Sequence, residues 1–340
     1  MKDNHPVLCF MLSLIAFCVI MFYGSGFLIP IAFGVLWAFL VGPIHKKLTN
    51  KKVNKYLSAV LSVGVIVAFF SVLLSVFGWQ INELIDKSDK IEAVLVEKQG
   101  QVQSFIKYNM GITFKEQGEY FENFSESLQK NATTFLGGTT TAITSFFLSL
   151  IYAILLLSER KRFKTFLMKV SNRKDRARKT AIETSEVVQS YLSGKLIVIA
   201  LLSVAYSIGF LIAGIPYAVL LSIFAAFLSF IPYVGNLIGG SIAMIITLAT
   251  GGTTTDLLLI FIIMSVAQVV ESYILEPWIV GSNVDLNPFF AIFSVIALST
   301  LWGPAGAVIA LPIAGAVRII LGKMEEYEDV GYLMSNEEEE

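Results

Sequence analysis

Residues 216–240 read PYAVLLSIFAAFLSFIPYVGNLIGG, and residues 288–312 read PFFAIFSVIALSTLWGPAGAVIALP. Pro216-Tyr217 aligns with Pro288-Phe289, Ser222 with Ser294, Ala225 with Ala297, and Phe230-Ile231-Pro232 with Trp302-Gly303-Pro304, all at one offset of 72 (288 − 216). Each second proline is followed by glycine, Gly235, Gly239 and Gly240 in one copy and Gly306 in the other. Each copy also follows an uninterrupted apolar run, 195–214 and 255–275. This is the pattern of an internal duplication. As continuous helices, the segments 216–249 and 288–321 would each be roughly 50 Å long at 1.5 Å per residue, against a hydrocarbon core of about 30 Å. They must break or fold back. Proline removes a backbone donor and glycine tolerates unusual dihedrals, so Pro232–Gly240 and Gly303–Gly306 are the expected tips of two half-helices.

The duplication lies in a setting that only a bilayer suits. From Leu196 to Val317 there is no Lys, Arg or His, and the only charges are Asp256, Glu271, Glu276 and Asp285. Over the whole chain 55% of residues are hydrophobic and 15% charged, with a mean hydropathy of +0.72. That balance excludes a soluble globular domain of this size and predicts an all-α polytopic membrane protein. Ionisable groups in hydrocarbon are costly, so carboxylates in this region are functional candidates. Cys9 and Cys18 lie on opposite faces of the first apolar run and cannot bond to each other.

Apolar runs of about 20 residues mark membrane spans. They fall at 6–23, 26–44, 57–78, 139–158, 195–214 and 255–275, which with the two broken segments makes about eight membrane segments. The first run is short enough to imitate a signal peptide, but no small-residue cleavage pattern follows it, and it reads as a retained span. The turn 45–56 carries Lys46, Lys47, Lys51, Lys52 and Lys55 without an acid, and 159–195 is dominated by Lys and Arg. By the positive-inside rule both are cytoplasmic, as are the two termini. The chain then divides into a three-span region (1–78), an extracytoplasmic amphipathic segment (79–138), a fourth span (139–158), a basic cytoplasmic helix (159–194), a duplicated core (195–321) and an acidic tail (322–340).

Helical spacing of Ile81, Leu84, Ile85, Ile91, Val94, Leu95, Val102, Phe105 and Ile106 makes the outer segment either a cap on its own protomer or a subunit contact. Asn131-Ala132-Thr133 has the form of a glycosylation sequon, a tripeptide common by chance. The basic stretch Arg160 to Arg178 reads as a helix against the anionic leaflet, with a regulatory docking site as the alternative. The tail, ending in four Glu, reads as disordered and solvated.

With this topology the segment 216–249 dips in from outside and 288–321 from the cytoplasm, so the two copies are inverted repeats. Spans paired with re-entrant hairpins whose tips meet near the midplane are a common plan of secondary transporters. The competing arrangement makes each broken segment a single kinked crossing.

Several residues are candidates for binding substrate or ion. Pro232, Gly235, Gly303, Pro304 and Gly306 shape the tips, and Asn236 offers an amide beside the first of them. Glu271, with Gln268 on the same helical face, either binds a cation or proton or reaches interfacial water. Glu276 before Pro277 is functional or simply ends the helix, Asp256 after Thr253 reads as a helix cap, and Asp285 as a solvated loop residue. No phosphate-binding loop or metal-ligand cluster is visible, and His5 and His45 are the two histidines, so the sequence points away from an enzyme and calls for no cofactor, metal or nucleic acid.

A family resemblance runs through the same residues. Gln189-Ser190-Tyr191-Leu192-Ser193-Gly194-Lys195, Gly214-Ile215-Pro216, Ile231-Pro232-Tyr233-Val234-Gly235, Glu276-Pro277-Trp278-Ile279-Val280-Gly281, Leu286-Asn287-Pro288 and Gly303-Pro304-Ala305-Gly306, with Pro312 beyond, resemble the autoinducer-2 exporter family of bacterial membrane proteins. The likeness is best over about 185–320. It implies an oligomeric inner-membrane transporter that exports a small polar quorum-sensing signal, autoinducer-2, by alternating access, the elevator type included. It equally implies Na⁺(Li⁺)/H⁺ antiport as the alternative. Asn287 stands where the family often has His before the proline, and Ser299-Thr300 where paired glycines are common. A non-transporting membrane scaffold is the competing class, but it has no need of Pro/Gly breaks in a carboxylate-bearing apolar core.

Overall fold

The computed structural model describes residues 5–86, 141–170, 174–230, 234–280 and 285–336, and among these every regular element is helical. In chain order they are α1 (His5–Tyr23), α2 (Ser25–Asn50), α3 (Lys55–Asp86), α4 (Thr141–Ser158), α5 (Arg160–Val170), α6 (Lys174–Ile212), α7 (Ala218–Leu228), α8 (Val234–Ala249) and α9 (Thr254–Val270). A π-helical segment Glu271–Val280 continues α9, followed by α10 (Pro288–Gly322) and α11 (Glu328–Met334). Six of these stretches are long and apolar enough to cross a membrane, and Met11–Tyr23, Ala218–Leu228 and Gly235–Leu248 are shorter apolar helices. Leu12, Ile15, Phe17, Val72, Leu74, Phe147, Leu258 and Phe261 are among the large side chains left exposed, an apolar exterior suited to lipid. The protein is a multi-pass membrane protein.

Helix starts follow local chemistry. Thr253 caps α9: its N–H donates to Asp256 Oδ2 at 2.6 Å and its hydroxyl accepts from the Asp256 N–H, so Asp256 serves as the capping residue its position foretold. Asn287 caps α10 by accepting from the Phe289 N–H at 2.9 Å, with Pro288 in the first turn where its missing donor costs nothing.

The described residues fall into two compact units. The first comprises Met1–Phe69, Ser145–Ile197 and Leu275–Glu340, and small residues set its packing. A Cβ on Gly34 would lie 2.9 Å from the Ser149 carbonyl oxygen, so only glycine lets α2 and α4 approach this closely. Trp37 donates to Ser149 Oγ at 3.1 Å across the same contact, and Trp302 of α10 donates to the Met21 carbonyl at 2.8 Å. The second unit comprises Phe70–Thr144 and Val198–Ile274, with Tyr206, Phe210, Ala225, Ala226, Ala243 and Ile260 fully buried. Gly239 rests on Ala225 between α7 and α8, and Gly240 faces Met264 of α9.

The structure corrects several boundaries. Residues 174–212 form one helix, since nothing between the basic segment and the fifth apolar run breaks it; Gly194 stays helical in close contact with the backbone of Ile279 and Val280. The span expected at 255–275 runs on to Val280 through the π-helical segment. The tail is not solvated throughout: α11 buries Gly331 and Met334, and the Met334 carbonyl accepts the Asn287 N–H at 2.9 Å. Asp285 is no free loop residue but pairs with Arg318. Residues 87–140, which hold most of the amphipathic segment and the Asn131 sequon, lie outside the described residues, as does Pro232.

Candidate functional site

In the second unit three polar side chains line up inside an otherwise apolar core. Glu271 sits where α9 passes into the π-helix, well inside the 27-residue apolar run Thr254–Val280, and is 4% exposed. The Asn236 amide Nδ2 donates to Glu271 Oε2 at 3.4 Å, and the Tyr206 hydroxyl donates to Asn236 Oδ1 at 2.9 Å. Tyr206 on α6 is fully buried and stacks on Phe210 with ring centroids 6.2 Å apart. Asn236 is one of the groups that engage Glu271, which has further interactions. The sequence left two readings of Glu271 open, and its burial favours a carboxylate removed from bulk water. A carboxylate in such a place is stable only when hydrogen-bonded, paired or protonated, so its charge state answers to whatever binds beside it.

Backbone geometry puts Asn236 there. A methyl added at Gly235 would overlap the Leu228 carbonyl and the Ser229 nitrogen, so α8 starts pressed onto the end of α7. The first unit repeats this contact in the other copy of the duplication. Gly303 interrupts α10 with φ 61° and ψ −146°, a conformation almost confined to glycine, and a methyl at Gly306 would overlap the Leu298 carbonyl oxygen. In a straight helix those two positions would stand about 12 Å apart along the axis, so α10 bends sharply at Gly303. Pro304 follows the bend and is exposed. The candidates therefore form two groups, Gly235, Asn236 and Glu271 in one unit and Gly303, Pro304 and Gly306 in the other. Gln268 shares the Glu271 helix but gives its amide to Ser272 Oγ at 2.9 Å.

Glu276 belongs to the first unit and does not end a helix, because the π-helical turn carries the chain through Pro277. It pairs with Lys195 Nζ at 2.7 Å, where the lysine side chain is 2% exposed and the carboxylate 43%. Tyr191, one turn before Lys195, is buried as well. Reasoning from the sequence passed over Lys195 and Tyr206. The signal for Lys195 was its place as the last cation before the stretch without Lys, Arg or His, which also suits an ordinary membrane-edge anchor. For Tyr206 it was a lone phenol in the run 195–214.

A multi-pass helical membrane protein with a buried carboxylate beside two abutting helix ends has features found in membrane transport proteins. Residues 10–326 match the family described as AI-2E family transporter, and the chain belongs to that family. It is 24% identical over 314 residues to YueF of Bacillus subtilis (strain 168), a candidate transport protein, covering 88% of this chain and 84% of the relative. A 139-residue stretch is 27% identical to YrrI of the same organism, also a candidate transport protein, and a 139-residue stretch is 24% identical to PerM of Escherichia coli (strain K12), a candidate permease. Each of these shorter matches covers 41% of this chain and 39% of the relative.

Proposed function

We propose that the protein is a secondary transporter of the bacterial inner membrane that exports a small polar signal molecule of the autoinducer-2 kind by alternating access, with Glu271 as the coupling group. The burial of Glu271 beside Asn236 at the start of α8 carries this reading. A titratable carboxylate held away from water can take up a proton or monovalent cation in one state and give it up in another. The two broken segments are read as re-entrant hairpins of inverted repeats, the termini as cytoplasmic and the protein as an oligomer. Each break is read on its own as a place that offers polar groups to a solute, Gly235 and Asn236 at the start of α8 in one unit and Gly303, Pro304 and Gly306 at the bend of α10 in the other, because non-helical backbone at membrane depth needs polar partners.

Na⁺(Li⁺)/H⁺ antiport is the second reading, and the clustering of the Glu271 carboxylate with the Asn236 amide and Tyr206 phenol favours it, since a monovalent cation is bound by such oxygens. Everted vesicles separate the two by comparing flux of labelled autoinducer-2 with Na⁺- or Li⁺-driven collapse of a pH gradient. Glu271→Gln keeps the shape and loses the titratable charge, so either activity should lose its pH dependence while the protein still inserts. Unaltered pH dependence in that variant would remove Glu271 from the coupling role. Cysteines at Ser282 and Thr253 test the topology: the first should label from the cytoplasm and the second from outside. Extracellular labelling at Ser282 would replace the second hairpin by a kinked crossing.

A further inference from the structure

We propose that α5 and the lysine turn between α2 and α3 form a docking surface for the headgroups of anionic phospholipids. The apolar part of α2 stops near Ile44, that of α3 begins near Leu57, and α4 ends at Ser158. Three helices of the first unit thus leave apolar sequence at one level. Two contacts tie them together there: Ser58 Oγ of α3 donates to the His45 carbonyl of α2 at 3.0 Å, and Lys55 Nζ of α3 pairs with Glu159 Oε1, just past α4, at 2.9 Å. Arg162 in the first turn of α5 holds the same carboxylate at 3.1 Å. The helix α5 therefore starts fixed at the rim of the bundle rather than trailing from it.

Its composition then decides the partner. The sequence RKRFKTFLMKV alternates basic and apolar positions at helical spacing, and Phe163 and Phe166, three residues apart on one side, are 52% and 61% exposed. Exposed phenyl rings at that spacing are unfavourable in water and want an apolar phase. The helix itself has no acidic residue, and no acidic side chain pairs with Lys161, Lys164 or Lys169 among the described residues. Lys46 and Lys47 near the end of α2 and Lys51 and Lys52 in the turn after it, all exposed, add to the same positive field. A helix with aromatic side chains on one side and unpaired cations beside them, at the edge of a membrane bundle, matches an interface whose outer layer is anionic and whose inner layer is acyl chain. A protein partner would need acids at matching places to fix seven flexible lysines, whereas a fluid anionic leaflet supplies phosphates wherever the lysines reach. This inference is independent of the solute carried and of the role of Glu271.

Hydrogen exchange of the full chain in lipid nanodiscs tests it, using phosphatidylcholine alone and phosphatidylcholine with about 30% phosphatidylglycerol, the charge density such a surface would read. Backbone exchange across 160–170 should slow by about tenfold in the anionic discs, and high salt should reverse the effect. K161Q/K164Q/K169Q should abolish the lipid dependence and Phe163→Ser with Phe166→Ser should weaken it, while α2 and α4 exchange as in the wild type. Equal protection of the wild type in both discs would overturn the proposal whatever the variants do. So would protection that follows the number of protein copies per disc, which would make a second copy of the chain the occupant.

Discussion

Two glycines at the broken segments give the most direct test of how they are built, because a third glycine provides an internal standard. Gly64 lies in α3 with nothing within 4 Å of a Cβ placed on it. Gly64→Ala should therefore stabilise by about 0.5–1 kcal/mol, the intrinsic preference of a helix for alanine. Gly235→Ala carries the same preference, but its methyl meets the Leu228 carbonyl and the Ser229 nitrogen, backbone atoms that cannot rotate aside. Relief requires α7 and α8 to separate, an overpacking cost of about 1–3 kcal/mol, so the net change should be destabilising by roughly 0–2.5 kcal/mol. Gly306→Ala should behave likewise against Leu298. Gly303→Ala isolates a different cause: no atom lies within 4 Å of its Cβ, yet φ 61° and ψ −146° make any side chain there cost about 1–3 kcal/mol.

Thermal unfolding in detergent should rank Gly64→Ala at or above the wild type and the other three below it. Transport in everted vesicles should fall further than stability does in Gly235→Ala. Displacing the first turn of α8 moves Asn236 off Glu271, and a shift of about 1 Å at a functional group can cost about a hundredfold in rate. If Gly235→Ala and Gly306→Ala match Gly64→Ala in both melting and transport, the close approach of the arms is not what positions the site.

Other expectations are simpler. Tyr206→Phe removes the hydroxyl that orients Asn236, leaving its amide oxygen without that donor. Stability should drop by about 1 kcal/mol, and the pH midpoint of transport should shift, whereas an unmoved midpoint would separate Tyr206 from the Glu271 cluster. Deleting residues 325–340 removes the Met334 carbonyl from Asn287 and Glu325 from Arg176, so the melting temperature should fall by a few degrees. Gly331→Val should reproduce that fall through its contact with Gly322, and an unchanged melting temperature in both would make α11 a passive tail. The hydrogen bond from Lys55, the largest influence, holds Glu159 below the usual carboxylate range. A lowered folded value means that the pair adds stability above the ordinary carboxylate pKa and loses it as pH falls through the lowered one. Melting curves between about pH 3 and 7 should therefore show a small gap between wild type and Lys55→Met that closes on acidification. A gap independent of pH would assign it to packing.

The class of the protein, the breaks in 216–249 and 288–321, and the Thr253 cap were legible in the sequence. They depend on length, periodicity and the local chemistry of Pro, Gly and capping residues, which act within a few positions of where they occur. The two carboxylates most in question were not. Glu271 stood near the end of an apolar run, and only the continuation of α9 through the π-helical segment to Val280 carried it into the interior. Its neighbour Asn236 is 35 residues away in sequence, and Tyr206 lies 30 residues before that amide. Lys195 carried no site reading in the sequence, and only the contact of Gly194 with Ile279 and Val280 brings α6 onto the segment that bears Glu276. The acidic tail read as solvated because its charge count hides one turn in which Gly331 and Met334 find a surface to pack on. Sequence by itself determined where this chain meets lipid and where its helices must break. Tertiary structure decided which polar groups were taken out of water and with whom, because burial belongs to the approach of helices distant in the chain and a residue's own neighbours do not encode it.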